Sequence, residues 1–246
     1  LQNPGDAEAV ATKLLNSFSA PFQAGEHEFF MSTSIGSALF PADGADVATL
    51  IKNADAAMYR SKAKGRNRVE HYTRDLTAQA SERIALEHEL RRAIERNEFT
   101  LSYQPKISLL TQRLVGAEAL IRWFHPTFGD VPPERFIPLA EENGMILQIG
   151  EWVLDTACQQ LHEWNQRYDV FGPLSVNLAG AQLRQPNLVN RIERLLLQHR
   201  LQPGCLQLEI TESFIMSQTE EALSVLHRLK KLGVQLAIDD FGTGYS

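Results

Sequence analysis

A chain of 246 residues that is 43% hydrophobic and 22% charged has ordinary globular composition, with room for a real core in one large domain or two medium ones. Its net charge of −6 excludes a surface that coats nucleic acid, but leaves open a small anionic nucleotide held in a local basic or metal-filled pocket. Two distant cysteines, Cys158 and Cys205, exclude a disulfide framework and read as free thiols in a reducing, cytoplasmic setting, and neither a long apolar run nor a basic-plus-apolar leader marks a membrane span or secretion.

The chain begins at Leu1 rather than Met and so reads as a piece of something longer. Its first part reads as an interrupted α/β unit. A helix is expected over residues 6–19, an extended run over 28–39, a helix over 46–64 that stops at Gly65, and a short strand over 68–72. In the second helix Val47, Leu50, Ile51, Ala54, Ala57 and Met58 recur at helical spacing and define a core-facing side. Gly65 stands where a left-handed C-terminal cap is expected. Lys62 and Arg66 near that end are either cations favoured by the helix dipole or ligands for phosphate. Ser34-Ile35-Gly36, Phe40-Pro41, Ala54-Asp55-x-Ala57-Met58-Tyr59 and Lys62-x-x-Gly65-Arg66-Asn67 resemble the carboxyl half of a GGDEF diguanylate cyclase domain. That resemblance implies that Lys62 and Arg66 contact GTP phosphates. The Gly-Gly-Asp/Glu-Glu-Phe signature and its upstream metal-binding Asp are absent, so these residues alone are not expected to make a cyclase.

Residues 73–81 are polar and without strong periodicity, and residues 82–96 turn helical, with Leu86, Leu90 and Ile94 four apart. This amphipathic connector carries a charged face of i,i+4 pairs, and spacing, transmission of orientation and dimerisation all remain open as its role. Two strand-like runs follow, 99–105 and 114–122, the second apolar but for Glu118 and Arg122. A carboxylate in a covered strand costs several kcal/mol, order of magnitude, unless a cation meets it. Glu118 therefore either pairs with Arg122 or points into a site.

Beyond them lie a turn and short helix at 132–141 and a longer helix over 147–167 whose Trp152 and Trp164 read as core. Then come a strand at 174–178, a helix at 186–199, a strand at 206–210, a helix at 217–232 and a strand at 234–238. This alternation predicts a parallel sheet with right-handed crossovers, and strands this apolar make a (β/α) barrel the leading geometry. Glu118, Asn177, Glu209 and the pair Asp239-Asp240 then fall at carboxyl ends of strands, over one rim. Crowded carboxylates cannot all stay ionised without cations, and an oxygen-only donor set selects Mg²⁺ or Mn²⁺ over zinc. Gly242-Thr243-Gly244 reads as a loop or a phosphate approach. Asp240-Phe241-Gly242 copies a kinase triplet without the other kinase motifs, and the seven His show no zinc spacing.

With those residues placed, the second part resembles the EAL family of cyclic di-GMP phosphodiesterases. The match rests on Tyr103-Gln104-Pro105, Glu118-Ala119-Leu120-x-Arg122-Trp123, Phe136-Ile137-Pro138-x-Ala140-Glu141, Ser175-Val176-Asn177, Glu209-Ile210-Thr211-Glu212 and Asp239-Asp240-Phe241-Gly242-Thr243-Gly244. The resemblance implies two-metal hydrolysis of cyclic di-GMP to linear pGpG. One ion falls to Glu118, Asn177, Glu209 and Asp239, and a second to Asp240. Glu212 holds a substrate-side loop, and Gln104, Leu120 and Arg122 line the guanine and phosphate pocket. The organisation it implies is the carboxyl-terminal part of a GGDEF domain at 1–73, a linker helix at 74–97, and the amino-terminal part of an EAL domain at 98–246 that dimerises through that domain in the parent. A complete barrel needs eight strands, and five are counted here. The family's catalytic Lys would lie beyond Ser246, so this stretch alone is expected to turn over cyclic di-GMP poorly or not at all and to expose strand edges. Three readings of the parent stand: a phosphodiesterase, a silent cyclic di-GMP receptor, and a bifunctional or GTP-regulated enzyme.

Overall fold

The computed structural model describes residues 4–25, 27–168, 172–212 and 220–239. The chain divides into two compact units, Leu1–Leu86 and Glu87–Ser246.

In the first unit α1 (Pro4–Ser17) precedes a short hairpin of β1 (Phe22–Ala24) and β2 (His27–Phe29), then β3 (Ser34–Ser37), α2 (Val47–Ala63) and β4 (Arg68–His71). The single extended run expected over 28–39 is thus two separate strands: β2 pairs with β1, whereas β3 pairs parallel with β4, Ser34 opposite Arg68 through Ser37 opposite His71. Helix α2 starts because Asp46 caps it, its carboxylate accepting from Thr49 N at 2.9 Å and Thr49 Oγ1 at 2.8 Å; these bonds hold the Asp46 carboxyl below its usual range. It stops at Lys64, where Gly65 turns to a φ of +100° that favours glycine. Gly36 is where helix and strand touch. A Cβ there would lie 2.1 Å from both Ala54 O and Met58 N, so only hydrogen fits.

Helix α3 (Arg74–Ala93) starts where the expected linker helix does, eight residues before the periodicity shows it, and ends at Ala93. A turn bond from Leu76 N to Thr73 O leads into it, and Leu76 is buried at 2% exposure, an apolar anchor in a stretch otherwise of polar residues and alanines.

The second unit is built on one six-stranded sheet. Its strands are β5 (Phe99–Ile107), β6 (Leu114–His125), β7 (Gly129–Val131), β8 (Leu174–Asn177), β9 (Leu206–Thr211) and β10 (Gln235–Asp239). The order is β10-β9-β8-β6-β5, with β7 on the outer part of β6. Strands β6, β8, β9 and β10 run parallel, as expected, while β5 and β7 are antiparallel to β6. The antiparallel β5 follows from the chain itself: six residues, 108–113, join it to β6, too few for a parallel crossover.

In-register residues share a face, so the pairing sorts the sheet into two. One face carries Phe99, Leu101, Tyr103, Ala117, Ala119, Trp123, Leu174, Val176, Leu206, Leu208 and Ile210. Against it lie α4 (Pro133–Glu142) and α5 (Ile146–Arg167). Phe99 packs on Trp123, Phe136 and Trp152 with ring centroids 5.7 to 5.9 Å apart, and Trp164 meets Tyr103 edge-on at 4.7 Å. The buried indole of Trp123 donates to Glu98 Oε2 at 2.9 Å. Cys158 is buried in α5, and burial pushes its thiol up to about 12; both cysteines are free. Helices α4 and α5 lie in the crossover from β6 to β8, and α6 (Gly180–Leu183), α7 (Leu188–Gln198) and α8 (Glu220–Leu232) in the two that follow. The other face is polar. Parallel strands joined by helices, with the helices on the apolar face, give the wall of a TIM-like (β/α) barrel. No helix among the described residues is long and apolar enough to cross a membrane.

Gly36→Ala is expected to destabilise the first unit by about 1–3 kcal/mol, since backbone atoms rather than a flexible side chain meet the new methyl. Urea unfolding followed by far-UV circular dichroism checks it.

Candidate functional site

The polar face presents a continuous set of chemistry-bearing residues. Gln104 stands opposite Glu118, Glu118 opposite Ser175, and Ser175 opposite Gln207; two residues further on, Asn177 stands opposite Glu209, and two beyond that Thr211 stands opposite Asp239. In a flat sheet Glu118 and Asp239, three strands and four residues apart, would have α carbons roughly 20 Å from each other. Yet carboxylate oxygens of Glu118, Glu209 and Asp239 all lie within 4.8 Å of one another. Two short side chains cannot span the difference, so the sheet curls with its polar face inward, as a barrel wall does.

Glu118 stands in the middle of β6 rather than at its end, where the sequence suggested it. It is the central one of the three residues, Ala117 to Ala119, that pair with β8. The ion pair with Arg122 does not form. Four strand residues separate the two by about 13 Å, and the Arg122 Nη1 donates instead to the carbonyl of Ile121 at 3.0 Å. Glu118 Oε1 accepts from Asn177 Nδ2 at 2.8 Å. That bond orients the carboxylate and leaves the Asn177 Oδ1 as a further oxygen donor.

Glu209 is 7% exposed. It meets a residue that sequence reasoning missed, Lys106, whose Nζ donates to Glu209 Oε1 at 2.5 Å and to Ser175 Oγ at 2.6 Å. Ser175 is fully buried and donates in turn to Gln207 Oε1 at 2.7 Å. Lys106 reaches across β6 from β5, its register partner there being Gly116, which has no side chain to block the way. The signal for it in the sequence is parity: Lys106 is two residues from Gln104 and so shares its face.

Of the other candidates, Leu120 and Arg122 are half-buried on the Glu118 side of β6, and Gln104 is exposed. Glu212 is half-buried directly after β9. Asp240 and the Gly242-Thr243-Gly244 stretch lie outside the described residues. Lys62 and Arg66 belong to the first unit and are exposed.

Three carboxylates this close repel unless cations intervene, and one ammonium offsets only part of the charge. The donor set, all oxygen and partly buried, fits a hard divalent cation rather than a thiophilic one.

Residues 87–246 match the EAL domain family, and residues 1–68 match the family described as diguanylate cyclase, GGDEF domain. Over 245 residues the chain is 44% identical to the bifunctional diguanylate cyclase/cyclic di-GMP phosphodiesterase MucR of Pseudomonas aeruginosa, covering 100% of this chain and 36% of MucR. It is 35% identical over 239 residues to the cyclic di-GMP phosphodiesterase PdeR of Escherichia coli, covering 97% and 36%. The chain thus spans about a third of the length of these curated relatives. Among solved structures, the PaMucR phosphodiesterase in complex with c-di-GMP superposes with a TM-score of 0.63 at 45% identity over 66% of each chain. The FimX EAL domain from Pseudomonas aeruginosa bound to c-di-GMP gives 0.58 at 32% identity, over 66% of this chain and 63% of that one.

Divalent cations are expected to raise the melting temperature, because a ligand that binds only the folded state stabilises it by about 2.7 kcal/mol at one hundred times its dissociation constant. Glu209→Gln should shrink that rise. Scanning fluorimetry across a Mn²⁺ series checks both.

Proposed function

Since the chain belongs to the EAL domain family, we propose that the intact parent protein hydrolyses cyclic di-GMP to linear pGpG with Mg²⁺ or Mn²⁺ as cofactor. The observation that carries this reading is the meeting of Glu118, Glu209 and Asp239 within 4.8 Å, from three strands, on the concave polar face. Solved neighbours described as c-di-GMP complexes support the ligand, and relatives named as cyclic di-GMP phosphodiesterases support the reaction.

Glu118, Glu209 and Asp239 would hold the cations through carboxylate oxygens, Asn177 would add its amide oxygen, and Asp240 would serve a second ion. Bound there, divalent cations supply a water of lowered pKa and stabilise the leaving oxygen. The chain's own part is to orient. Asn177 fixes the Glu118 carboxylate through its amide nitrogen, and Lys106 is hydrogen-bonded to that of Glu209. Arg122, two pleats beyond Glu118 on the same face, offers a guanidinium to a phosphate. Leu120, between them, offers an apolar surface to a guanine, and Gln104, opposite Glu118, offers an amide to a base edge. Glu212, just past β9, would steady a loop on the substrate side.

The first unit would have a role of its own. Its match to the GGDEF family and the bifunctional name of MucR favour a domain that makes the substrate or senses GTP, with Lys62 and Arg66 toward the phosphates. The protein would work in the cytoplasm, as a dimer formed through its EAL unit.

Incubation of the full-length parent with cyclic di-GMP and Mg²⁺, followed by chromatography, is expected to show pGpG accumulating. Glu118→Ala should lower turnover about 100-fold or more, the loss of one ligand removing several kcal/mol of transition-state stabilisation. Binding without turnover in the wild-type protein would leave a receptor in place of an enzyme. Adding GTP to the same assay should change the rate, and an unchanged rate would count against a GTP-sensing first unit.

A further inference from the structure

Lys106 is a charged group on the polar face that oxygen-donor chemistry does not account for. It is no loose surface cation. Its ammonium is bonded to Glu209 Oε1 at 2.5 Å and to Ser175 Oγ at 2.6 Å. Ser175 is itself pinned to Gln207 Oε1 at 2.7 Å and is 0% exposed. The ammonium therefore has a built seat, with one bond to a neutral hydroxyl and one to a carboxylate of the cluster. Three carboxylates and one ammonium leave two formal negative charges, the amount that a single divalent cation cancels.

From this geometry we infer that Lys106 is a resident counter-cation of the carboxylate cluster, competing with divalent cations for Glu209 and holding their affinity down. The inference rests on the reading of that cluster as a divalent-cation site. An ion bound by Glu209 must share its carboxylate with the ammonium. The ammonium draws electron density from the shared carboxylate and repels the ion, with Glu209 buried and the Lys106 side chain partly open to solvent. Two consequences follow for the site. Ion binding takes place beside a cation already seated, which lowers its affinity. The cluster also tolerates loss of its ions, because the buried Glu209 keeps one opposite charge and does not stand alone. A residue that merely oriented Glu209 would act with the opposite sign, since removing it would weaken ion binding.

The test is Mn²⁺ titration calorimetry and thermal melting on protein treated with EDTA and then freed of it, for wild type and three variants. Lys106→Gln keeps a hydrogen-bond donor toward Ser175 without the charge, Lys106→Met removes both, and Lys106→Arg keeps the charge. Lys106→Gln and Lys106→Met are expected to bind Mn²⁺ about tenfold more tightly than wild type, to melt at a lower temperature without metal, and to gain more from added Mn²⁺. Lys106→Arg should keep wild-type affinity. Should Lys106→Met not fold, Lys106→Gln decides alone. Unchanged or weaker Mn²⁺ binding by Lys106→Gln would overturn the competition and leave Lys106 an orienting residue. Wild-type protein that takes up no Mn²⁺ would instead overturn the cation-site reading itself, whatever the variants do.

Discussion

Carboxylates brought within 4.8 Å of each other resist that arrangement, and the polar face of the second unit is organised around how the resistance is met. Glu118, Glu209 and Asp239 come from β6, β9 and β10, so no local sequence feature gathers them. What gathers them is burial of the opposite face. Trp123, Leu174, Val176, Leu206, Leu208 and Ile210 are each 2% exposed or less, and at the order of 1.5–3 kcal/mol for a fully buried large apolar side chain their burial offsets the repulsion. Apolar burial on the convex side curls the sheet and forces the acids together on the concave side. Lys106, Asn177 and Ser175 then make the crowding tolerable.

Strand parity is the step that turns this packing into chemistry. Every residue of the cluster is an even number of positions, along its strand or through its register partners, from every other. Slipping one strand by a single residue would send its carboxylate to the helix side and put an apolar residue in its place. The same packing that stabilises the second unit therefore specifies the site, and the two cannot drift apart independently. Asn177 shows the coupling at short range: it stands opposite Glu209 in the sheet while its amide holds Glu118 on the other neighbouring strand.

Alternating apolar strands and amphipathic helices after residue 174 announce the parallel part of the sheet in the sequence alone, and acids at the ends of apolar runs announce its polar rim. Less visible is whatever depends on register. Lys106 looks like any cation in an exposed strand until β5 is paired to β6 and its side chain is followed across Gly116 to β8 and β9. The antiparallel setting of β5 is readable from the six-residue connection once its length is weighed against that of a crossover. Strand β7 is three residues long and carries no periodicity to detect. The first turns of α3 are hidden for a related reason: one buried leucine, Leu76, among polar neighbours makes no pattern, although it suffices to anchor a helix.

The length of β6 explains why Glu118 can serve from mid-strand. Its parallel pairing with β8 ends at Ala119, but the strand continues for six more residues, clamped by β5 as far as Trp123 and by β7 from Trp123 to His125. A carboxylate on a strand terminus would share the mobility of the following loop. Here the backbone on both sides of Glu118 is hydrogen-bonded, so the side chain is aimed by a rigid element. The same extension carries Leu120 and Arg122 past the edge of β8, where the neighbouring strand no longer covers them and a ligand lying over the carboxylates could reach them. Rigid placement of the acids and open approach to the residues beyond them thus come from one feature, a strand that outlasts its parallel partner.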